Sequence, residues 1–524
     1  MKSHLVSSRP GILRASLAAF CIRRATYAAV LLAAALRAHA DVTLAPLFRD
    51  GAVLQRGQAI AIFGRAAPAE KVQVKFGNQT VAVTTPADGH WKAMLKPLKI
   101  SAQPAELVVT GTNTVRVRDV LVGDVWLCSG QSNMGFIVRN AERAEAEIAA
   151  ANFPLIRQFK VTLTAAEQPK DDVKGDWAPC SPATVGNFSA VAFFFARDLH
   201  QKLQVPIGIV NSSWGGTQIE SWMSEPMLRA NPAAKGIFAR WEKTLADFPA
   251  RQTAHAAAME KWKANQAAAK AAGQPFTARA PVAPEGPGSR WLPASLYNGM
   301  IAPLVPYGLA GAIWYQGESN AARHAEYSSL FTDMIKQWRR EFDQPLPFYF
   351  VQLANFESGA GNTGDVWAYL REAQTRALAL PKTGMAVTID IGAPKDIHPK
   401  NKQDVGHRLA LHARQQLFRE KIETDGPLFK AAKRDGKGMR VSFTHAAGLR
   451  LDPAKDDGLI SFEVAGEDRK FVSATARVDG QAVIVSADSV AQPVAVRYAW
   501  RNSPDARLFN GAGLPAAPFR SDNW

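Results

Sequence analysis

From Asp124 to Phe418 the chain alternates short apolar runs with helical stretches, and few folds accept that rhythm. The apolar runs cover 124–129, 156–161, 207–213, 310–316, 347–354 and 384–390. Between them lie helical stretches such as Ser189 to Leu203, Tyr327 to Phe342, Trp367 to Leu380 and Lys402 to Phe418. Strands that are apolar at successive positions are buried on both faces, and strands separated by helices run parallel. The pattern predicts an α/β core, a parallel sheet covered by helices, with ligands at the carboxyl ends of its strands.

The unusual residues fall at those ends. Val125-Trp126-Leu127-Cys128 leads into Gly130-Gln131-Ser132-Asn133. Glycine permits a sharp turn there, and a helix opening at Ser132 aims its N–H at whatever the hydroxyl attacks. Asn133 is expected to cap that helix. Ile207 to Val210 leads into Asn211-Ser212-Ser213-Trp214-Gly215-Gly216-Thr217, whose paired glycines let main-chain N–H groups approach a ligand. Ala310 to Ile313 leads into Trp314-Tyr315-Gln316-Gly317-Glu318-Ser319-Asn320, which brings a side-chain amide to a third strand end. Met385 to Ile389 precedes Asp396-Ile397-His398-Pro399, where a carboxylate two residues before a histidine can orient the ring. Any one of these segments would pass for an ordinary loop. Together they hold the parts of an acyl-transfer site.

A serine hydroxyl is a poor nucleophile until a base takes its proton. Ser132 is the expected nucleophile, with His398 as general base and then general acid. Asp396 is the expected orienting carboxylate, and Asp390, at the end of the preceding apolar run, competes for the role. Donors aimed at the developing oxyanion are worth roughly 3 kcal/mol each. They are expected from the N–H groups of Ser132 and Gly216 and the side chain of Gln316, with Gly215 as alternative to Gly216. Glu318 reads as hydrogen-bonded support behind the loops, since His398 already covers the acid–base work. His407 and His412 suit neither a shared metal nor the site, and read as surface or packing residues. No His/Asp/Glu cluster has ligand spacing, so neither metal nor cofactor is expected.

The set Gly-Gln-Ser-Asn, Gly-Gly-Thr, Gln-Gly-Glu and Asp-x-His-Pro resembles the sialate O-acetylesterase family of the SGNH hydrolase superfamily. The likeness runs from about Pro46 (Pro-Leu-Phe, then Val53-Leu54-Gln55) to Leu514-Pro515-Ala516-Ala517-Pro518-Phe519-Arg520. Like that family, the chain has Gln where many SGNH enzymes use Asn, and Asp-x-His where they have Asp-x-x-His. The resemblance implies an SGNH, flavodoxin-like three-layer core flanked by β-sandwich-like regions, acting as a carbohydrate O-acetylesterase on small-molecule or oligosaccharide acetyl esters. An acetylesterase of plant cell-wall polysaccharide shares these motifs. A non-catalytic glycan-binding protein would require loss of Ser132, His398 or Gln316, and none is lost.

Residues 1–40 carry Lys2, Arg9, Arg14, Arg23, Arg24 and Arg37, the apolar run Tyr27 to Leu36, then Ala38-His39-Ala40. This is the pattern of a secretory signal peptide cleaved after Ala40, too short to span a bilayer, and it implies a secreted or periplasmic product. Without it the net charge falls from +16 to +10. No dense basic run with interleaved aromatics remains, so nucleic acid is not implied. Cys128 and Cys180 either pair or are separate buried thiols. Residues 41–120 read as a small β-sandwich: Val72, Val74 and Phe76 alternate with polar residues, and Gly77-Asn78 and Asp88-Gly89 mark hairpins. Residues 121–424 form the catalytic domain, interrupted at 235–290 by an Ala/Lys/Glu-rich stretch, Ile237 to Ala272. That stretch reads as one long helix or a helical pair, peripheral rather than a substrate lid. Residues 425–524 return to β, with strands at Met439 to Phe443, Ile460 to Val464, Val472 to Val478, Ala482 to Ser486 and Val494 to Trp500.

Overall fold

The computed structural model describes Met1 and residues 41–357, 365–453 and 461–524. Residues 2–40 of the segment read as a signal peptide, and Ile460, lie outside the described residues. Among the described residues no helix is long and apolar enough to cross a membrane.

The chain is mixed α/β, built on an eleven-stranded sheet. Its central strands are β1 (Thr114–Gly130), β2 (Phe153–Lys160), β3 (Trp177–Cys180), β4 (Ile207–Ser213), β5 (Gly311–Tyr315), β6 (Phe348–Val351) and β7 (Thr383–Ala386). In space they run β3-β2-β4-β1-β5-β6-β7, all parallel except β3. The chain fills one side of β1 first and then the other. The order therefore reverses at β1, where an open α/β sheet leaves a crevice. Gly130 marks the spot, in register with Ser213 of β4 and Tyr315 of β5.

The helices α1 (Ala190–Leu203), α2 (Lys235–Ala271), α3 (His324–Glu341), α4 (Val366–Arg376) and α5 (Lys402–Phe418) fall close to where the helical stretches were read. Alternate residues of β6 show how they are placed. Phe348 and Phe350 meet Phe331 of α3 at 6.0 and 5.0 Å between ring centres. Tyr349, facing the other way, meets Trp126 of β1 and His412 of α5. Strand β7 stops at Ala386, short of the expected 390, because the Val387 carbonyl bonds to the Arg408 side chain at 2.6 Å.

At its first half β1 leaves the parallel sheet and pairs with Ser101–Thr110 and Val53–Gln55, so one strand runs through residue 120. The N-terminal strands form two sets. Asp88-Gly89 does not close a hairpin between neighbours, since Gln79–Thr84 pairs with Lys71–Phe76 while His90–Leu95 pairs with Ile60–Arg65. The turn moves the chain between sheets. The insertion is a single helix, α2, with Pro249 inside it and only Ile237 buried. The returning segment is tied to it by the Trp262 indole, which donates to Ala278 O at 2.8 Å.

In the C-terminal region the run Val472 to Val478 divides between two sheets. Phe471–Ser473 pairs with Phe462–Ala465, and Thr475–Asp479 with Ala482–Ser486. This region is fastened to α4 by Arg371, whose guanidinium donates to the carbonyls of Arg501 and Asn502. Cys128 and Cys180 are free, buried thiols.

Candidate active site

Gly130 has φ +136°, and a Cβ there would lie 2.1 Å from the Tyr315 carbonyl. Only glycine lets the chain leave β1 between its two neighbours. The next residues are held at once: Gln131 N–H donates to that same carbonyl at 2.9 Å, and Ser132 opens a short helix, Ser132–Gly135. The hydroxyl so presented meets a histidine 266 positions away in sequence. His398 Nε2 lies 2.8 Å from Ser132 Oγ.

Asp396 is exposed, and its carboxylate accepts the backbone N–H of His398 at 2.9 Å. The rival, Asp390, has both oxygens on the Arg408 guanidinium, at 2.7 and 2.6 Å. Burial and the nearby Lys402 ammonium push the His398 pKa below the ordinary histidine value, against the opposing pull of Asp396. Both effects favour the neutral ring, the form able to accept a proton.

Beside Ser132 runs the loop after β4. A Cβ on Gly215 would lie 3.2 Å from Ser132 Cβ, and Gly216 has φ +69°. Among the described residues the N–H groups of Ser132 and Gly216 donate to no acceptor. The Gly216 carbonyl accepts the Trp291 indole N–H at 2.7 Å. Gln316 is fully buried and its amide is committed: Nε2 donates to Thr217 O at 3.1 Å and Asn320 Oδ1 at 2.7 Å, while Oε1 accepts the Tyr327 hydroxyl at 2.9 Å. Donation from Gln316 to an oxyanion requires one of those bonds to exchange.

Asn133 does not cap the helix, because its side chain is drawn into a buried network. Nδ2 donates to Glu318 Oε1 at 2.5 Å and to Ile397 O at 3.0 Å, and Oδ1 accepts Lys402 Nζ at 2.6 Å. Burial raises the Glu318 pKa, opposed by its hydrogen bonds and by Lys402. The sequence reading missed two residues here, Lys402 and Gln131. A lysine at the first position of α5 is the signal for Lys402, since a cation there opposes the helix dipole. Gln131 is buried within 3.4 Å of the Gly317 and Ser319 nitrogens.

The fold also assembles a group with no signal in the sequence spacing. Glu423, Asp425 and His445 bring ligand atoms within 4.8 Å of one another. His445 Nδ1 is already hydrogen-bonded to Glu423 at 2.8 Å, and none of the three is bonded to Ser132 or its neighbours.

A family model described as carbohydrate esterase, sialic acid-specific acetylesterase, matches residues 280–415. The chain is 32% identical to the sialate O-acetylesterase of Rattus norvegicus over 521 residues, covering 89% of this chain and 92% of that protein. The chain belongs to the sialate O-acetylesterase family. The Homo sapiens enzyme of the family is 29% identical across 89% of this chain and 90% of its own. A crystal structure of a carbohydrate acetylesterase from Xanthomonas citri matches with TM-score 0.77 and 40% identity, covering 92% of this chain and all of that one. As a family member this chain is a hydrolase of ester bonds. The family model covers Gln316, Glu318, Asp396, His398 and Lys402 but begins after Ser132 and Gly216.

Proposed function

We propose that this esterase removes acetyl groups from O-acetylated sugars through an acyl-enzyme on Ser132. The observation that carries the reading is the 2.8 Å contact between Ser132 Oγ and His398 Nε2 at the sheet's switch point. His398 takes the hydroxyl proton as Ser132 attacks the acetyl carbonyl, and returns it to the departing sugar oxygen. Water then attacks the acetyl-serine by the same proton route and releases acetate. Asp396 supports the imidazolium through its charge and holds the His398 backbone. The oxyanion is received by the N–H groups of Ser132 and Gly216. Gln316 serves as third donor once its bond to Thr217 is exchanged, and Glu318 and Asn133 act behind the pair.

The strand order and the helix placement support an SGNH-type, flavodoxin-like three-layer core over 121–424, with β regions at 41–120 and 425–524. The sequence of residues 1–40 supports a signal peptide and a secreted or periplasmic enzyme.

Acetate release measured in parallel from O-acetylated sialic acid, acetylated xylan and acetylated xyloglucan tests the substrate class and ranks its members. Ser132→Ala should lower activity at least about a thousandfold on the preferred substrate. Activity above that level in the variant, or no acetate from any of the three, removes the reading.

A further inference from the structure

Lys402 stands in a place that does nothing for stability by itself. Its side chain is fully buried, and it opens α5, where the helix dipole repels a cation. Burial pulls its pKa down to about 7, while Glu318 and Asp396 pull it upward.

Its contacts give it a task. Nζ donates to Asn133 Oδ1, and the two donors of that amide go to Glu318 and to the Ile397 carbonyl. An amide has one oxygen and one NH₂ group, so a cation on the oxygen fixes which way the donors point. Asn133 follows Ser132 directly, and Ile397 directly precedes His398. Nζ also lies 4.9 Å from the centre of the Phe136 ring, which stacks on His398 at 6.3 Å, and 5.4 Å from the Tyr315 ring. The charged and titratable groups facing it are Glu318 and Tyr315 from the end of β5, and Asp396 and His398 from the loop before α5.

We propose that Lys402 is a positioning residue for the esterase reaction: its ammonium orients the Asn133 amide, which ties the loop carrying His398 to the turn carrying Ser132. The inference rests on the Ser132–His398 reading and adds to it the device that keeps the pair in register. With the ammonium gone, the amide is free to turn over, and the bonds to Glu318 and Ile397 lose their donors.

Hydrolysis of 4-nitrophenyl acetate tests this. In K402M, kcat should fall at least tenfold with KM within twofold. The acid limb of kcat/KM should move to higher pH, because the charge that disfavours the imidazolium is absent. K402M leaves Glu318 buried without its cation, so the neutral pair K402M/E318Q is the second variant. It should be at least as heat-stable as the parent, since two opposite charges bridged by Asn133 are replaced by neutral groups, and still show the tenfold deficit and the shifted limb. A folded double variant with parental kcat, a deficit confined to KM, or an unmoved acid limb overturns the proposal. Ser132→Ala on the same substrate separates the two readings. Activity surviving there removes the serine mechanism, whereas loss there with a full-rate double variant removes only the role of Lys402.

Discussion

The two flanks of Ser132 are built on opposite principles. On one, the Asn133 side chain is buried and makes three hydrogen bonds, to the half-buried Glu318, to the Ile397 carbonyl and to the buried Lys402. On the other, the Gly215–Gly216 loop is half-exposed, its carbonyl is held by an indole, and its N–H donors are unused. The difference fits the chemistry proposed for each flank. In the mechanism proposed above, proton transfer between Ser132 and His398 needs fixed geometry, and the hydrogen bonds of Asn133 would supply it. Reception of a carbonyl oxygen needs donors left free for a charge that appears only in the transition state.

Gln316 lies behind the open flank, donating to the Thr217 carbonyl and to Asn320, whose own amide binds Ile219 and Glu220. If it joins the oxyanion donors, Gln316→Ala should lower kcat by roughly two to three orders of magnitude with little change in KM. Steady-state rates on an aryl acetate check this. A change in KM alone would leave the open flank as sole receiver of the charge and make Gln316 a binding residue.

Asp396 tests the closed flank at its exposed edge. Its charge raises the His398 pKa against burial and Lys402. Asp396→Asn removes that pull, so the His398 pKa falls further and the acid limb of kcat/KM moves to lower pH. The imidazolium also loses support in the transition state, and kcat should fall by about tenfold, or roughly 1.4 kcal/mol. A pH–rate profile reads both effects. A limb moving upward would show that the carboxylate does not act on the ring through its charge.

The legible part of this molecule was the part governed by local pattern. Helix α5 begins at Lys402 and ends at Phe418 as its apolar spacing indicates, and Ser132 and His398 were readable from strand-end chemistry. What the sequence left open was decided by long-range partners. Asp390 and Asp396 look alike along the chain, and only the Arg408 guanidinium, nearly two turns into α5, shows that Asp390 is occupied. Asn133 reads as a cap because local hydrogen bonding is the default for asparagine at a helix start. It is diverted by Glu318 and Lys402, 185 and 269 positions away. The Asp88-Gly89 turn has hairpin chemistry, but turn residues do not specify which strand the next one joins.

The smallest expected effect sharpens the account of the open flank. Trp291 is 36% exposed and does not touch Ser132, yet its indole N–H holds the Gly216 carbonyl at 2.7 Å. Gly216 has φ +69°, so the residue whose N–H is the proposed oxyanion donor is kept by glycine's freedom and, through the peptide that follows it, by this side-chain bond. Trp291→Phe keeps the aromatic surface and deletes only the donor. A half-exposed hydrogen bond is worth about 1 kcal/mol, because water can replace the lost partner. The variant should therefore lose about fivefold in kcat, with thermal stability nearly unchanged, since the loop carries little of the core. An equal loss in Trp291→Ala would assign the effect to the hydrogen bond, and a much larger loss would assign it to the ring as a wall of the sugar cleft. No loss in either variant would mean that the open flank is held by its glycines alone.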